Sequence, residues 1–314
     1  MSRHLLRRVG GAVLVLFGVS ALTYGFVFLT PGDPAVAALS QQLGHQPSAA
    51  AVEQFRATHG LNRPLPVRYA DWLSEVARGD FGTSYQSGRP VRSMLVQRLP
   101  NTVELAVAST VVAVAVAVPA GVTSAVRAGG YVDDLTRVAS LVGVSMPNFW
   151  LGYLLIIGGA LQLGLFPVSG AGDISHLVLP AVTLGSGMAG VIARLVRTSI
   201  LDTLGTEYVR TARSKGLHER VVVYKHAFRN ALVPVVTVIG LQFGYVLNGA
   251  VVVEAVFQRP GLGTLLVDAV FARDYPVVQG VTLLVGVAFV SVNLLVDLTY
   301  RYLDPRIDIG GTRP

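Results

Sequence analysis

The sequence predicts an all-α polytopic membrane protein. Of its 314 residues, 52% are hydrophobic and only 14% are charged, and several apolar windows reach roughly twenty residues, the length of a helix that crosses a bilayer. Backbone groups in lipid must be satisfied within their own segment, so each window is expected to be helical. The predicted spans are residues 9–30, 102–126, 138–163, 177–196, 232–256 and 277–299.

The first window is interpreted as a membrane anchor rather than a cleaved signal peptide. Arg3, Arg7 and Arg8 precede it, as in a signal sequence, but no small-x-small cleavage site follows the apolar stretch. Basic residues recur in alternate connecting segments, above all between residues 194 and 229. By the positive-inside rule, this distribution predicts that both termini are cytoplasmic.

The long segment 31–100 is predicted to lie outside the cytoplasm and to be helical. One helix is expected at residues 49–59, and Pro66 is expected to open another. Two interpretations remain open for these amphipathic helices: they rest on the outer membrane interface through Trp72 and Phe81, or they dock an extracytoplasmic partner. The candidate docking residues are Tyr69, Trp72, Phe81 and Tyr85.

The entrance to the second span carries a predicted capping box. Residues 89–99 look like an interfacial helix, and Asn101 is followed three residues later by Glu104, a pattern typical of a helix start. Glu104 is therefore interpreted as a cap rather than as a functional acid.

Small and polar residues inside the spans predict either close helix packing or a translocation pathway. Gly240, Gly244 and Asn248 recur every fourth residue, so they line one face of the fifth span and permit another helix to approach. Pro147 is expected to bend the third span, because it frees a backbone carbonyl. The candidate pathway residues are Ser145, Asn148, Gln242, Gly244 and Asn248.

Motifs of a motor or an enzyme are missing. Neither Lys215 nor Lys225 follows a glycine, so the chain has no phosphate-binding P-loop. No H-E-x-x-H, G-x-S-x-G or S-x-x-K pattern occurs, and the chain has no cysteine, so neither catalytic residues nor a metal site are expected. A membrane enzyme would need machinery that these patterns do not provide. The net charge of +7 is explained by the cations beside the spans and indicates no nucleic-acid partner.

An ion-coupled carrier or channel that acts without ATPase partners is the main alternative class. Such carriers usually hold acids or histidines near the bilayer midplane. Here Glu104, Glu254 and Asp297 all fall toward the ends of predicted spans. The sequence therefore disfavours this class.

A basic, amphipathic stretch at residues 207–234 separates the fourth and fifth spans. Residues 207–215 are expected to form a helix that Gly216 stops, since glycine tolerates left-handed dihedral angles. Residues 221–231 are expected to begin a second helix that continues into the fifth span. This pattern predicts either a lever for an external motor or a basic helix adsorbed to anionic lipid.

The stretch contains Y-V-x-T-A-R-x-K-G-L at residues 208–217 and H-A-x-R-N-A-L-x-P at residues 226–234. It resembles the EAA loop of ABC importer permeases, in the form typical of the dipeptide and oligopeptide branch. In the general motif a glutamate and an alanine stand where this chain has Arg210 and Thr211, so no glutamate role is expected there. The likeness extends over nearly the whole chain and looks like the B-type subunit: P-G-D-P at 31–34, G-D-F-G-x-S at 79–84, R-L-P-x-T at 98–102, S-M-P at 145–147 and P-G-x-G at 260–263.

The resemblance implies a type I ABC importer permease fold with about six transmembrane helices. It implies three parts: an N-terminal tip and first helix at 1–30, a helical extracytoplasmic segment at 31–100, and a five-helix core at 101–314 that contains the cytoplasmic coupling loop 198–234. The helix in that loop would sit in an ATPase cleft as the coupling helix. The candidate coupling residues are Glu207, Tyr208, Arg210, Thr211, Ala212, Arg213, Lys215, Gly216 and Leu217.

The resemblance also implies the function and the partners. The chain would be a non-catalytic permease subunit of an ATP-driven importer of dipeptides or oligopeptides in the bacterial inner membrane. It would pair with a homologous C-type permease and be driven by two cytoplasmic ATPases, or one fused pair, which bind the ATP and magnesium. An extracytoplasmic solute-binding protein would deliver the cargo, and membrane lipid is the remaining partner. Members of this branch carry dipeptides, longer peptides, nickel complexes, haem or glutathione, so the cargo stays open.

Overall fold

The protein is built from α-helices. The computed structural model describes residues 2–29 and 32–303, and in these residues the β pairing is one isolated bridge between Thr83 and Pro90. The predicted all-α fold class is confirmed. The helices are α1 (Ser2–Leu29), α2 (Pro34–Leu43), α3 (Ala49–Thr58), α4 (Leu65–Ala77), α5 (Val91–Val126), α6 (Tyr131–Ser145), α7 (Asn148–Leu155), α8 (Ser175–Leu204), α9 (Glu207–Ser214), α10 (Glu219–Val221), α11 (Phe228–Val256), α12 (Leu262–Phe271) and α13 (Tyr275–Leu303). Two π-helical segments, Ile156–Gln162 and Val222–Ala227, continue α7 and α10. Predictions on Thr30, Pro31, residues 304–314 and the side chains of Arg3, Arg7 and Asp297 lie outside the described residues.

Four of the described helices are long and apolar enough to cross a membrane: α5, α8, and the greater parts of α11 and α13. The described part of α1 adds a shorter apolar helix, Gly10–Phe26. The third predicted span is a pair of helices, α6 and α7, that meet at 106°. Met146 and Pro147 are both extended there, because a residue before proline is pushed out of the helical region.

The predicted capping box at Asn101 and Glu104 is wrong. α5 begins earlier, at Val91, and absorbs the interfacial helix that was predicted as a separate element at residues 89–99. Asn101 instead donates a hydrogen bond from Nδ2 to the carbonyl oxygen of Pro260 at 2.9 Å. The Asn101 side chain, which was predicted to cap a helix, therefore binds the backbone just before α12.

The contacts divide the chain into two compact units. The first unit comprises Met1–Thr102 and Arg259–Val290, and the second comprises Val103–Gln258 and Ser291–Pro314. This division differs from the three consecutive parts expected from the sequence. The predicted extracytoplasmic segment shares a unit with α12 and the start of α13, because side chains from all these elements form one core.

The core of the first unit joins the start of α5 to α12 and α13. Phe81 and several other half-buried apolar side chains pack against it. The predicted helices at 49–59 and from Pro66 are present as α3 and α4, and the hydroxyl of Ser48 caps α3 by accepting from the Ala51 N–H at 3.3 Å. The buried core residues are Val91, Leu95, Leu262, Leu265, Ala269, Val277 and Val281.

The second unit is organised around α8, which packs along both α6 and α11. α8 comes unusually close to its neighbours at two glycines. A Cβ atom on Gly190 would lie 2.4 Å from the backbone oxygen of Ser140, and one on Gly185 would lie 2.7 Å from that of Ser109. Helices in lipid associate through such close backbone packing, since lipid is as apolar as their side chains.

We expect Gly190→Ala to destabilise the second unit, because the added methyl group overlaps a backbone atom that cannot move alone. Overpacking of this kind costs about 1–3 kcal/mol. Gly187→Ala is the matched control on the same helix, since its Cβ would lie at an ordinary 3.4 Å from the Gly143 oxygen. The thermal unfolding midpoints of the two purified variants and the wild type in detergent measure the effect. Equal midpoints for the two variants would contradict the close-packing account.

Candidate coupling site

α9 buries one face and exposes the other. Val209 and Ala212, three residues apart, are buried and pack with Leu204 and Val222. These four residues, here called the α9 core, attach the short helix to the end of α8 and to the π-helical segment that leads into α11. The opposite face is polar and is called here the coupling surface. Its exposed residues are Glu207, Arg210, Thr211, Arg213 and Ser214.

The chain leaves α9 through a left-handed glycine. Gly216 has φ of +76°, and its N–H bonds to the Arg213 carbonyl oxygen at 2.9 Å. Among the described residues other than its two chain neighbours, no atom lies within 4 Å of the place that a Cβ would occupy. The backbone dihedral, rather than space, therefore requires glycine here. Lys215 and Leu217 on either side are exposed.

A salt bridge closes the turn after α9. The Arg213 guanidinium binds the Glu219 carboxylate with both Nε and Nη2, at 3.1 Å and 2.6 Å. These hydrogen bonds hold the pKa of Glu219 below its usual range and raise that of Arg213. Both side chains are exposed, so the pair adds little stability. Its bidentate geometry instead fixes the direction in which α10 leaves the turn.

Tyr208 connects the coupling helix to α11. Its hydroxyl oxygen accepts a hydrogen bond from Asn230 Nδ2 at 2.7 Å, and lies 3.4 Å from the His226 carbonyl oxygen, to which it donates. Sequence reasoning named Tyr208 as a candidate coupling residue but gave no role to Asn230. The two residues are 22 positions apart, so no local sequence pattern indicates that their side chains form a hydrogen bond.

An ion pair with a buried carboxylate connects α8 to the start of α6, in the part of α8 that precedes the coupling helix. Asp133, at the start of α6, accepts from Arg197 Nε and Nη2 at 2.6 Å and 2.7 Å. Ser124 Oγ and the Gly129 N–H donate to the same carboxylate, at 2.6 Å and 2.9 Å. Every oxygen of a buried carboxylate is thus satisfied. Sequence reasoning missed this site, although acids in a first helical turn are a known pattern.

The candidate pathway residues all lie in the second unit. Ser145 ends α6 and is exposed, whereas Asn148 begins α7 and is half-buried. The Asn148 Nδ2 atom lies 3.4 Å from the Cβ position of Gly249, so the structure brings the bend between α6 and α7 against α11. On α11, Asn248 is exposed, Gln242 is half-buried and Gly244 is buried.

Gly240, which shares the four-residue spacing of Gly244 and Asn248, serves helix packing. A Cβ at this position would lie 2.3 Å from the side chain of Val296. The residues at this spacing therefore differ in role. Gly240 is required by helix packing, whereas Asn248 exposes its amide.

Two of the candidate docking residues pack against α1: Trp72 is buried and Tyr69 is half-buried. Trp72 is only 9% exposed, with its ring centroid 5.7 Å from that of Tyr24 on α1. Tyr69 lies beside it, 5.3 Å from the Tyr24 ring, and its hydroxyl bonds to Ser20 Oγ at 2.8 Å. The apolar face of α4 therefore packs on α1, so Trp72 does not offer its ring to the membrane interface or to a partner.

Phe81 and Tyr85 also have packing roles. Phe81 is partly buried and packs against the core of the first unit, and its role at the membrane interface stays a prediction. The Tyr85 ring contacts Phe55 and His59, at centroid distances of 5.4 Å and 4.9 Å. The Tyr85 N–H donates to Asp274 at 2.9 Å. Tyr85 is half-buried, and part of its surface remains open.

The coupling surface offers shape and charge. In the part of the chain that the structure describes, no group of three histidine or carboxylate side chains is arranged to hold a metal ion. A polar helix held on an apolar core, at the end of apolar helices, suits the binding of another protein. The fold and this site define a membrane subunit on which a separate protein acts.

The chain matches two protein families along its length. Residues 117–309 match the family described as "Binding-protein-dependent transport system inner membrane component", and residues 1–106 match its N-terminal counterpart. The chain therefore belongs to the binding-protein-dependent transport system inner membrane components. The predicted identity as an ABC importer permease of the dipeptide and oligopeptide branch, with the B-type order of elements, is confirmed.

Curated relatives match from end to end. The chain is 43% identical to the glutathione transport system permease protein GsiC of Pectobacterium atrosepticum, over 98% of this chain and 99% of that protein. It is 39% identical to the oligopeptide transport system permease protein AppB of Bacillus subtilis, over 98% of this chain and all of that protein. Both relatives are permease subunits, so the chain is a non-catalytic, multi-pass membrane subunit that works with ATPase and binding-protein partners.

A solved structure shares the fold. A chain of the MetNI methionine ABC transporter, in an inward-facing conformation, matches with a TM-score of 0.58 over 67% of this chain and 96% of that chain. The sequence identity is 21%, so the likeness concerns the fold alone.

We expect Val209→Ala to loosen α9, because it removes buried apolar surface from the α9 core. Complete burial of a valine side chain contributes about 2 kcal/mol. Hydrogen–deuterium exchange of residues 207–216 should become faster. Thr211→Ala is the control, since Thr211 is exposed and its hydroxyl donates to the Glu207 carbonyl oxygen of its own helix. Unchanged exchange in Val209→Ala would contradict the role of the core.

The raised pKa of Tyr85 predicts that the protein loses stability at alkaline pH. It lies outside the apolar spans, and burial raises its pKa from 10.0 to about 12. The folded state therefore favours the neutral phenol, and this contribution is complete below pH 10 and declines as the pH rises toward 12. The thermal midpoint of the wild type should fall more steeply than that of Tyr85→Phe across this range. Parallel curves for the two proteins would contradict the prediction.

Proposed function

We propose that the chain forms half of the translocation pathway of an ATP-driven importer of dipeptides or oligopeptides. The names of its relatives support this cargo: one is a glutathione permease and the other an oligopeptide permease. Both kinds of molecule contain peptide bonds. The selection among peptides belongs to the separate binding protein, which presents cargo at the extracytoplasmic face.

The partners in this proposal are specific. A homologous C-type permease pairs with the chain as a heterodimer. Two cytoplasmic ATPases, or one fused pair, act on the two permeases, and the coupling surface of this chain sits in the cleft of one ATPase. The chain holds no cofactor, and the ATPases bind ATP and magnesium. Both termini lie in the cytoplasm, on the same side as α9, in agreement with the cations of residues 194–229.

One observation carries the mechanism: α9 exposes charges on one face while its other face is buried in the α9 core. Because that core includes the end of α8 and the segment leading into α11, a force applied to α9 reaches both helices. Closure of the ATPases on ATP would then bias the permease between two conformations. The Tyr208–Asn230 hydrogen bond adds a second connection to α11.

The pathway is proposed to pass three polar residues of the second unit: Ser145 and Asn248, which are exposed, and Asn148, which is half-buried. Uncharged amides and a hydroxyl can hydrogen-bond a peptide backbone of any sequence, which suits a transporter of varied peptides. The binding protein is proposed to dock on the extracytoplasmic segment, where Tyr85 keeps part of its surface open. Trp72 holds α4 in place for that docking.

Gly216→Val tests the proposed function. A β-branched residue is disfavoured at φ of +76° by roughly 1–2 kcal/mol, so we expect α9 to shift on its core. Peptide uptake per ATP hydrolysed, measured in proteoliposomes with the cognate subunits, should fall at least about fivefold. Gly205→Ala is the control in the same loop, since Gly205 has helical dihedral angles and room for a methyl group.

Normal uptake by Gly216→Val would remove the coupling assignment. Uptake by the purified chain without any ATPase would overturn the proposed function in favour of an ion-coupled carrier.

A further inference from the structure

The middle of α11 exposes polar side chains inside an apolar span. The span Pro234–Val256 has 23 residues, and Tyr245 is the twelfth of them, at its midpoint. Tyr245 is 71% exposed. Asn248 is also exposed and lies about 4.5 Å further along the helix axis. Tyr245 was not among the candidate pathway residues.

These two polar residues share one side of α11 with two exposed apolar residues, Leu241 and Val252. The four residues are separated by steps of three and four positions, and such steps return to one face of a helix. Leu241, Tyr245, Asn248 and Val252 are here called the midspan face. Its apolar residues lie toward the two ends, and its polar residues lie between them.

The polar groups of this region have open hydrogen-bonding capacity. Among the described residues, neither the Tyr245 hydroxyl nor the amides of Asn248 and Asn148 make a hydrogen bond. Asn148, on α7, borders the midspan face, because its Nδ2 atom lies 3.4 Å from the Cβ position of Gly249. Hydroxyl and amide groups that face hydrocarbon lose their water partners without replacement, which is unfavourable. The midspan face therefore suits a polar cavity rather than lipid.

α5 provides the contrast within the same unit. Between residues 111 and 119 its exposed residues are all apolar: Val111, Ala115, Val116 and Pro119. Such a face matches lipid tails. Tyrosine is enriched at the two surfaces of a membrane rather than at its middle, so the position of Tyr245 is unusual for a residue that contacts lipid.

The midspan face is also poorly suited to close contact with another membrane helix. Such contacts use small residues, and two small residues of α11 already serve contacts within the chain. A Cβ on Gly240 would lie 2.3 Å from Val296, and one on Gly249 would lie 2.6 Å from Leu184. The midspan face itself consists of larger side chains, which suit the wall of a cavity.

We propose that Tyr245 contacts the peptide bonds of the cargo at the middle of the membrane, with Asn248 beside it. A peptide group offers one N–H donor and one carbonyl acceptor, and a phenol hydroxyl and a carboxamide can each donate and accept. Residues of an extended peptide are about 3.3 Å apart, and helix side chains three positions apart are about 5–6 Å apart. The two side chains can thus bind successive parts of one peptide.

The Tyr245 ring has a second effect, because it limits the width that is available to the side chains of the cargo. Tyr245 has this role only in a peptide importer, so the proposal rests on the proposed function. It adds a residue that contacts the cargo after the binding protein has released it.

Site-specific photocrosslinking in the complete transporter tests the proposal. Tyr245→p-benzoylphenylalanine is assembled with the cognate permease, ATPases and binding protein in proteoliposomes. It is illuminated during ATP-driven uptake of radiolabelled trialanine or glutathione. We expect a labelled adduct of this chain that excess unlabelled peptide prevents. Val116→p-benzoylphenylalanine is the matched control, since Val116 is 58% exposed on the apolar face of α5 and should capture no peptide.

Tyr245→Phe provides a second measurement, because it removes only the hydroxyl. Uptake of the same peptides per ATP hydrolysed should fall about fivefold, as expected for the loss of one hydrogen bond. ATP hydrolysis without cargo should stay unchanged. Tyr131→Phe is the control for the same chemical change, since Tyr131 is 82% exposed at the start of α6, outside the midspan face, and its uptake should equal that of the wild type.

Two results would overturn the proposal. One is a crosslink from position 245 to the partner permease or to lipid alone, which would make the midspan face an interface or a lipid contact. The other is unchanged uptake in Tyr245→Phe. If the photoreactive variant does not assemble, the phenylalanine variant decides. Absence of ATP-driven uptake by the wild type would instead remove the proposed function, so the two failures are distinguishable.

Discussion

The close approach of α8 to its neighbours is the constraint on which the second unit depends. Lipid tails are as apolar as the helix side chains, so the hydrophobic effect does not drive two apolar helices together in a membrane. The helices must instead be held by close backbone packing. Gly185 and Gly190 provide that contact, where the backbones of α5 and α6 occupy the space of a side chain. Only Gly205 and Thr206 separate α8 from α9. The packing of a buried membrane helix therefore determines where the coupling surface is presented.

The ion pair between Asp133 and Arg197 adds direction to this packing. A buried pair rarely adds net stability, because the cost of removing two charges from water offsets their attraction. Its value lies in specificity: two Arg197 nitrogens, the Ser124 hydroxyl and the Gly129 N–H must all meet one carboxylate. A sliding or rotation of α8 against α6 would break several of these bonds together. Small residues allow the helices to approach, and the ion pair selects one register.

Local sequence patterns were sufficient to predict α9. Contacts between residues far apart in the sequence could not be predicted from such patterns. Its polar and apolar periodicity and the stop at Gly216 can be read within a few residues of sequence, and the structure has both. Trp72 was recognised as part of an amphipathic face, but sequence could not show that the face packs on α1 rather than on the membrane. Asn101 matched a capping pattern, yet α5 had already begun at Val91, because proline and polar residues do not end a helix that packing supports. Glu219 reaches Arg213 only because the intervening turn folds back.

One buried cluster separates the two surfaces of the coupling loop. Val209 and Ala212 of α9 face Val222 of the next helix, so the remaining sides of the two helices point away from their shared contact. Of the α9 cations, Arg210 pairs with Glu207 on the same helix and Arg213 pairs with Glu219 on α10, and all of these charges stay exposed as a patterned surface for a protein. Lys225, on the following helix, is exposed, and no salt bridge among the described residues includes it. A single hydrophobic contact thus determines which side of α9 stays exposed, and the side that it leaves free carries the paired charges suited to a protein cleft.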